Sequence, residues 1–425
     1  EDALFTVMGE VLSNGKAGIM DLDLNQQQKV LQAGAFAYTL ADRSTLILQG
    51  NPKQGQTLEQ VKDLMLQSLD KIRKGDFDQE LLKAIVNNYK FNMMRRLENN
   101  RGRANMFVSS FINGIPWEQQ IRFIERLEAV TKDDLVAFAN QYFKDDNYAV
   151  IYKRQGPDTT YKKIEKPAIT PIHTNRDKSS AFLQEILATD VEPIEPVFVD
   201  FEKDFTKQTI REGVELVYVP NSVNDLFTLS IVYELGSNVD KALPVAFEYL
   251  GYLGTTSKTA EEISKSFYRL ACSFSANVSQ NTCSVTLNGL AENMQPALEL
   301  LTEWITDAQS DKSVYRALTG DILKSRDDAK TDQRTNFQRL QQYMQYGPVN
   351  MATHIMTERE LKRTDPASLI AKIQELLSYE SDVYYHGPMA IGEVGALVEA
   401  SWPMAEDLRP VPEKEYFKPI IDTDN

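Results

Sequence analysis

Residues 226–255 read LFTLSIVYELGSNVDKALPVAFEYLGYLGT. A β-rich run over 226–235 ends at a Gly-Ser-Asn turn, and an apolar helix is predicted over 244–253 before a Gly-Thr pair. A second helix over 260–270 and a hairpin of 273–279 with 284–290 follow. This order of strand, helix, helix and hairpin indicates an α+β unit.

The same unit extends in both directions from this stretch. Upstream, the run 214–219 is separated from 226–235 by Pro-Asn-Ser, so we expect these two runs to form antiparallel strands. Downstream, an amphipathic helix carries Ala297, Leu300, Trp304 and Ile305, mostly helical sequence continues to 377, and 382–385 is predicted to be a strand. We expect this domain to span 204–410.

Residues 1–157 carry patterns of the same kind. Thr57 with Gln60 predicts a capping box, and Thr131 is predicted to cap a later helix. The predicted helices start near 4, 58, 78, 107, 117 and 132, and the predicted strands cover 35–40, 45–49 and 148–152. We expect a first domain over 1–157 and a Pro-rich linker over 158–203.

An internal similarity links the two predicted domains. Thr131 opens a helix that is followed by a strand from Tyr148 and by Gly-Pro at 156–157. Thr364 opens a helix that is followed by a strand from Val383 and by Gly-Pro at 387–388. The two endings lie about 230 residues apart, which indicates duplicated domains rather than a solenoid. Because an amphipathic helix is already under way at Leu4 and there is no initiating Met, we expect sequence upstream.

Composition excludes several classes of function. The chain has 425 residues, 61 Asp plus Glu against 46 Lys plus Arg, and a formal charge of −15. This charge argues against binding to nucleic acid and to anionic membrane surfaces, because both are held by Lys and Arg. The longest apolar runs fall short of the ~20 residues that a membrane span needs. Cys272 and Cys283 flank a turn that places Cys283 opposite Val278, so we expect no disulfide bond.

Sites for metal or nucleophilic catalysis have no local signature. His173, His354 and His386 occur without an H-x-x-x-H or H-x-x-E-H spacing. The fold could still assemble them, although we favour incidental histidines. There is no G-x-S-x-G, G-x-G-x-x-G or P-loop motif.

One basic cluster stands out in this acidic chain. It contains Arg95, Arg96, Arg101 and Arg103, with Glu98 among them. A guanidinium cluster can clamp a carboxylate or a peptide terminus, because Arg binds carboxylate bidentately. It can also be a solvated helix end, and we favour that interpretation.

The order of elements in 226–305 resembles the pitrilysin and insulin-degrading-enzyme family of zinc metallopeptidases, the inverzincins. In that family a strand ending in Gly-Ser leads to a helix bearing H-x-x-E-H, and a Gly-Thr pair, a helix and a hairpin follow. Aligning on Gly254 and Thr255 places Val245 and Tyr249 at the two zinc-binding histidines. Glu248 then falls at the general base. Several motifs also resemble zinc proteases of Bacteroidetes-type bacteria.

The departure from the family motif removes the zinc chemistry. Val245 has no lone pair, and a tyrosine phenol is not a normal zinc ligand. Without zinc there is no activated water for Glu248 to deprotonate, so Glu248 is a remnant of the general-base position. The family's third ligand, a glutamate, has no clear counterpart in 324–328. We therefore expect no catalytic residue and no metal ligand in this chain.

The resemblance also implies an architecture. It predicts an α+β fold of two homologous domains, each a mostly antiparallel sheet with helices packed on one face. The first domain, 1–157, would be non-catalytic and would lack its N-terminal strand, and 204–410 would be a degenerate peptidase-like domain. Zinc is expected in an upstream catalytic domain or in a separate catalytic subunit, and the expected location is a bacterial periplasm or cell envelope.

Three functions follow as hypotheses. The favoured one is a non-catalytic portion of a zinc endopeptidase that forms part of a peptide-enclosing chamber. The alternative is a structural or assembly subunit that resembles the core proteins of respiratory complexes. The third, an active enzyme with a spatially assembled site, is the least favoured.

Overall fold

The computed structural model describes residues 2–40, 43–154, 156, 160, 162, 165–171, 174, 176, 178–413 and 417–420. The chain divides into two compact units, one formed by 1–148 together with 205–425 and the other by 149–204. No helix among the described residues is long and apolar enough to cross a bilayer.

More residues of the larger unit lie in helices than in strands. Between residues 2 and 148 they are α1 (Asp2–Leu12), α2 (Leu58–Arg73), α3 (Glu80–Leu97), α4 (Asn100–Ile112), α5 (Trp117–Ile121), α6 (Phe123–Glu128) and α7 (Lys132–Tyr142), with a π-helical turn at Asp21–Gln26. The smaller unit contains α8 (Ala181–Ala188). After residue 205 they are α9 (Leu243–Leu250), α10 (Ala260–Arg269), α11 (Met294–Asp307), α12 (Lys312–Ala329), α13 (Gln333–Tyr346), α14 (Glu358–Arg363), α15 (Pro366–Leu376) and α16 (Ile391–Ser401).

The described strands form two sheets. They are β1 (Gln32–Thr39), β2 (Ser44–Asn51), β3 (Thr206–Arg211), β4 (Val214–Pro220), β5 (Leu226–Tyr233), β6 (Cys272–Val278), β7 (Cys283–Leu290) and β8 (Ser381–Gly387). β1 and β2 form a two-stranded hairpin, and the other six form a sheet in the order β3-β4-β8-β5-β7-β6. Every pair is antiparallel except β4 with β8. The predicted α+β fold with mostly antiparallel sheet is confirmed.

Local capping explains where several helices begin. The predicted capping box at α2 is present, since Gln60 N donates to Thr57 Oγ1 at 3.1 Å and Thr57 N donates to Gln60 Oε1 at 2.9 Å. Thr131, Thr259 and Thr357 form capping boxes at α7, α10 and α14. At each of these helices a backbone N–H of the first turn therefore donates to a side chain only three residues away.

The larger unit has two apolar cores. One lies on the six-stranded sheet and under α9, α11 and α15, and it includes fully buried Leu216, Tyr249 and Leu369. The other lies beneath β1 and between α1, α3 and α7. Tyr268 of α10 packs into this second core, so the parts before 148 and after 205 share buried surface.

The predicted strand over 148–152 is wrong. These residues have no strand assignment, and the side chains of Tyr148, Val150 and Ile151 are exposed. A strand requires a neighbour for its ladder, and no described strand pairs with this run. Its run of apolar residues is therefore insufficient by itself to form a strand.

The runs 214–219 and 226–235 are antiparallel strands of one sheet, as predicted, but they are not neighbours in it. β8 lies between β4 and β5, parallel to β4 and antiparallel to β5. β4 pairs on its other side with β3, which sequence patterns did not predict. Nothing local to the Pro-Asn-Ser connection reveals that a strand arriving from residue 381 separates the two runs.

The unit 149–204 is described by itself. It contains α8 and no strand among its described residues. Ser180 caps α8 by accepting a hydrogen bond from Leu183 N at 3.1 Å. Its apolar side chains, including Ile194 and Val197, are exposed. Whether the domain boundaries follow the predicted linker of 158–203 stays a prediction.

Candidate functional site

Helix α9 is positioned by the turn that precedes it. Ser237 N and Asn238 N donate to the carbonyls of Ser279 and Gln280, both at 2.9 Å. A Cβ on Gly236 would lie 2.5 Å from the Ser279 carbonyl oxygen, so only glycine allows this approach. The Gly-Ser turn therefore fastens the end of the strand to the β6–β7 hairpin, and α9 follows with Pro244 in its first turn.

The Gly-Thr pair after α9 has a structural role. A Cβ on Gly254 would lie 2.4 Å from the Lys258 carbonyl oxygen, and Gly254 O accepts from Gln309 N at 2.8 Å. Thr255 Oγ1 donates to Glu303 of α11, whose carboxylate also pairs with Lys258 at 2.6 Å. These bonds lower the pKa of Glu303 and hold the turn against α11.

Both positions predicted to replace zinc ligands are buried. Val245 is 7% exposed and belongs to the apolar core of the six-stranded sheet. Tyr249 is fully buried, and its hydroxyl donates to Asp311 O at 2.9 Å and accepts from Asp311 N at 2.7 Å. Its ring packs edge-on against Tyr315 at 5.4 Å between centroids. Burial raises the pKa of Tyr249, so the phenolate that could bind a cation is disfavoured.

Glu248 lies on the exposed side of α9, facing α12. Desolvation by neighbouring protein raises the pKa of its carboxyl, the charge of Asp321 raises it further, and Arg326 opposes both effects. Arg326 Nη1 donates to Met356 O at 2.7 Å, which fixes the guanidinium. Glu248 is thus an acid held close to a second acid, with a cation nearby.

Lys53 completes this group from the other part of the larger unit. Its Nζ lies 2.9 Å from Asp321 Oδ2 and 2.7 Å from the carbonyl oxygen of Gln28. Burial raises the pKa of Asp321, and the Lys53 ammonium opposes that rise. Sequence reasoning missed both Lys53 and Asp321, because the first follows β2 and the second lies inside α12 with no motif around it.

These side chains do not fit a zinc ion. Of the two aligned ligand positions, Val245 offers no donor atom and the Tyr249 hydroxyl is committed to Asp311. A fixed ammonium, that of Lys53, already neutralises Asp321. Within the described part of the chain, no group of three or more His, Cys, Asp or Glu side chains could hold a metal ion.

The other candidates are scattered. His173 lies outside the described residues, His354 lies in a turn rather than in a predicted helix, and His386 lies in β8 opposite Thr228. His354 Nε2 is 3.1 Å from Ser237 O. Cys272 and Cys283 are both free and buried, and burial raises the pKa of each thiol to about 12. The register that placed Cys283 opposite Val278 is confirmed.

Comparison with solved structures returns proteases at low identity. A peptidase M16 inactive domain from Pseudomonas fluorescens is 15% identical with a TM-score of 0.41, over 50% of this chain and 54% of that chain. The periplasmic protease PqqL from Escherichia coli is 13% identical with a TM-score of 0.45, over 98% of this chain and 49% of that chain. A protease from Helicobacter pylori is 15% identical with a TM-score of 0.42, over 51% of this chain and 54% of that chain.

In these comparisons the matched region is about half of each solved chain, between 49% and 54%. No protein-family model and no curated protein matches the sequence. The residues of the site therefore have to carry any functional conclusion.

Proposed function

We propose that this chain is a non-catalytic part of a zinc endopeptidase of the pitrilysin type, and that it forms part of the wall of a chamber that encloses peptide. The observation that carries the proposal is helix α9. It follows a Gly-Ser turn, precedes a Gly-Thr turn and carries Glu248 between Val245 and Tyr249. By the resemblance, these are the surroundings of a metal-binding helix, with Val245 and Tyr249 at the positions of its two histidines.

The chemistry of α9 in this chain is that of a scaffold. The buried Tyr249 hydroxyl ties the helix to the backbone of Asp311, at the start of α12. Lys53 ties α12 to the segment after β2. A wall of this kind contributes to catalysis elsewhere by binding and positioning a peptide, since binding energy distant from the reacting bond can serve the chemical step.

The remaining elements of the proposal come from the resemblance. Zinc would be held by an upstream catalytic domain or by a separate catalytic subunit, and it would supply Lewis-acid activation of water there. The substrate would be a peptide, and the location a bacterial periplasm or cell envelope.

Metal content, peptide cleavage and peptide binding test the proposal on the purified chain. After incubation with zinc sulfate and dialysis, we expect no stoichiometric zinc by atomic absorption and no cleavage of an internally quenched peptide. Fluorescence anisotropy is expected to show micromolar binding of an unstructured labelled peptide. Stoichiometric zinc with chelator-sensitive cleavage would show that the chain is itself a peptidase.

The structural alternative gives a different result. An assembly subunit would bind none of a set of unstructured peptides of varied composition and would co-purify in a stable large complex. That pair of results would replace the proposed role by the assembly role.

A further inference from the structure

Helix α4 is apolar on its exposed side as well as on its buried side. Its buried stripe is Gly102, Met106 and Ser110. Phe107, Val108, Phe111 and Ile112 point away from that stripe, and Phe111 is 88% and Ile112 68% exposed. An apolar face of this size on a helix ordinarily marks a contact with another molecule or domain.

The start of α5 extends this face. The rings of Phe107 and Trp117 stack with their centroids 4.2 Å apart and their planes 21° apart. We call Phe107, Val108, Phe111, Ile112 and Trp117 the α4 surface. The stacked pair gives it one rigid aromatic element, which is the type of side chain that dominates binding energy at interfaces.

Two arginines of the basic cluster, Arg101 and Arg103, lie at the start of the helix that carries this surface. A Cβ on Gly102 would lie 1.9 Å from the carbonyl oxygen of Arg96, so glycine is needed for α4 to approach the end of α3 this closely. That contact packs the end of α3, which carries Arg95 and Arg96, against the start of α4, which carries Arg101 and Arg103.

Helical spacing aligns two of the arginines with the apolar side chains. Arg101 is seven residues before Val108, and Arg103 is four before Phe107, so each cation begins a stripe of the α4 surface. Arg101 is exposed, and no salt bridge involves it within the described ranges. Arg103 donates to the carbonyl of Leu97 at 2.6 Å.

The local charge is opposite to that of the chain. Residues 95–118 contain four arginines and two glutamates, a net charge of +2, whereas the whole chain carries −15. One of the glutamates, Glu98, accepts a hydrogen bond from Asn224 at 3.1 Å and so is turned toward the part after 205. An occupant of the α4 surface has to offer apolar side chains together with negative charge.

Resting on the proposed function, we infer that the α4 surface is the peptide-binding site of this wall and that it selects peptide segments in which acidic and large apolar residues alternate. The stacked Phe107 and Trp117 and the exposed Phe111 receive the apolar side chains. Arg101 and its neighbours pair with carboxylates at the edge. A second copy of this chain is a poorer occupant, because it would bring the same arginines next to each other and would offer them no negative charge.

Three labelled peptides of equal length test the inference by fluorescence anisotropy on the whole chain. One is built from Leu, Phe and Glu, the second has Lys in place of every Glu, and the third has Ser in place of every Leu and Phe. We expect the first to bind about tenfold more tightly than either of the others at low salt, and the preference over the Lys peptide to shrink as salt rises.

Two variants locate the site. Phe111→Ser is expected to lower the affinity for the peptide of Leu, Phe and Glu about tenfold. Arg101→Glu is expected to lower the affinity for that peptide about fivefold and to raise the affinity for the Lys peptide. Loss of structure could not raise an affinity. Phe337→Ser is the matched control, since Phe337 is an exposed phenylalanine on α13, and it should change neither affinity.

The outcomes separate the two proposals. If the peptides bind equally well, or if Phe337→Ser weakens binding as much as Phe111→Ser, the α4 site is refuted while a peptide-binding role survives. If no peptide binds, the proposed function itself fails. Sedimentation that shows a dimer lost in Phe111→Ser would assign the surface to a contact between copies and overturn the inference.

Discussion

The parts of the larger unit before 148 and after 205 repeat one series of elements. In the first, α1, the β1–β2 hairpin, α2, α3, α4 and α7 follow one another, and in the second α10, the β6–β7 hairpin, α11, α12, α13 and α15 do so. α3 and α12 each have 18 residues, and α7 and α15 each have 11. The hairpins share a register, with Gly50 opposite Ala33 and Gly289 opposite Cys272.

The two parts differ in what lies beside the hairpin. The edge of β7 away from β6 is paired along its whole length with β5, and β8 and β4 follow. The corresponding edge of β2 has no strand beside it among the described residues. The run 148–152 stands after α7 as β8 stands after α15, but β8 has β4 and β5 to pair with, and 2–148 contains no described counterpart of either.

This difference teaches that strand formation follows from available partners and not from pattern alone. It also changes burial. Leu287 of β7 is 1% exposed, whereas Leu48 at the corresponding position of β2 is only partly buried. The same residue type in the same register therefore contributes unequally to stability.

The largest expected effect tests that inequality directly. Leu287→Ala should lower the free energy of unfolding by about 3–5 kcal/mol, because it leaves a cavity beneath a strand that is paired on both edges. Leu48→Ala should lower it by about 1–2 kcal/mol, because that side chain is already partly exposed to solvent. Urea denaturation followed by circular dichroism measures both. Equal losses would mean that the β2 edge is covered in solution.

A second prediction concerns the bond that joins the two parts at the candidate site. Lys53→Met should lower the free energy of unfolding by about 2 kcal/mol at pH 8, less than the roughly 3–5 kcal/mol for a fully buried pair. Asp321 already has a raised pKa, and without Lys53 it rises further. The penalty should therefore shrink as the pH falls and the carboxyl is protonated.

The control for this prediction is an exposed pair. Lys207→Met removes the partner of Glu215, 2.6 Å away on the surface, and should leave the free energy of unfolding unchanged. If the loss of unfolding free energy in Lys53→Met does not depend on pH, the role given to the Asp321 carboxyl is contradicted.

A third prediction concerns Glu10, a half-buried acid of α1. Burial, with the charge of Asp21 second, raises the pKa of Glu10 to about 7. A carboxyl whose pKa is higher in the folded chain than in the unfolded one favours folding at low pH, and this stabilisation is lost as the pH rises to about 7. The free energy of unfolding of Glu10→Gln should exceed that of the parent chain by about 1–2 kcal/mol at pH 8 and should equal it at pH 4.

Thermal unfolding as a function of pH measures this effect. The exposed Glu118→Gln serves as the control and should follow the parent chain at both pH values. If the stability of Glu10→Gln falls with pH as steeply as that of the parent, another group is responsible.

The smallest expected effect concerns a feature that the two parts share. Thr57 and Thr259 cap α2 and α10 with the same capping box. Each Thr→Ala change should cost about 1 kcal/mol, because one helix N–H loses its acceptor. The two losses should be alike, since a cap depends on its own turn and not on the sheet; a large difference, measured by urea denaturation, would show coupling to the unequal sheets.

Part of the candidate site could be predicted from the sequence. The Gly-Ser turn, the helix with Val245, Glu248 and Tyr249 and the Gly-Thr turn were all predicted, and the structure has a helix there. Lys53 and Asp321 could not be predicted, because they lie far apart in the chain and meet only when α12 packs beside the segment after β2. The sequence shows the arginines at the start of α4 as a basic cluster. It does not show that Phe111 is exposed, because exposure depends on which side chains the fold leaves uncovered.

The sequence by itself determined the features whose interactions form between residues close together in the chain. These include the capping boxes, the helix periodicities, the hairpin register at Val278 and Cys283 and the absence of an H-x-x-E-H motif. The tertiary structure alone decided that β8 enters between β4 and β5 and that 148–152 forms no strand. The reason is physical: caps and turns are satisfied by neighbours along the chain, whereas a strand and a buried ion pair need partners that only folding brings near.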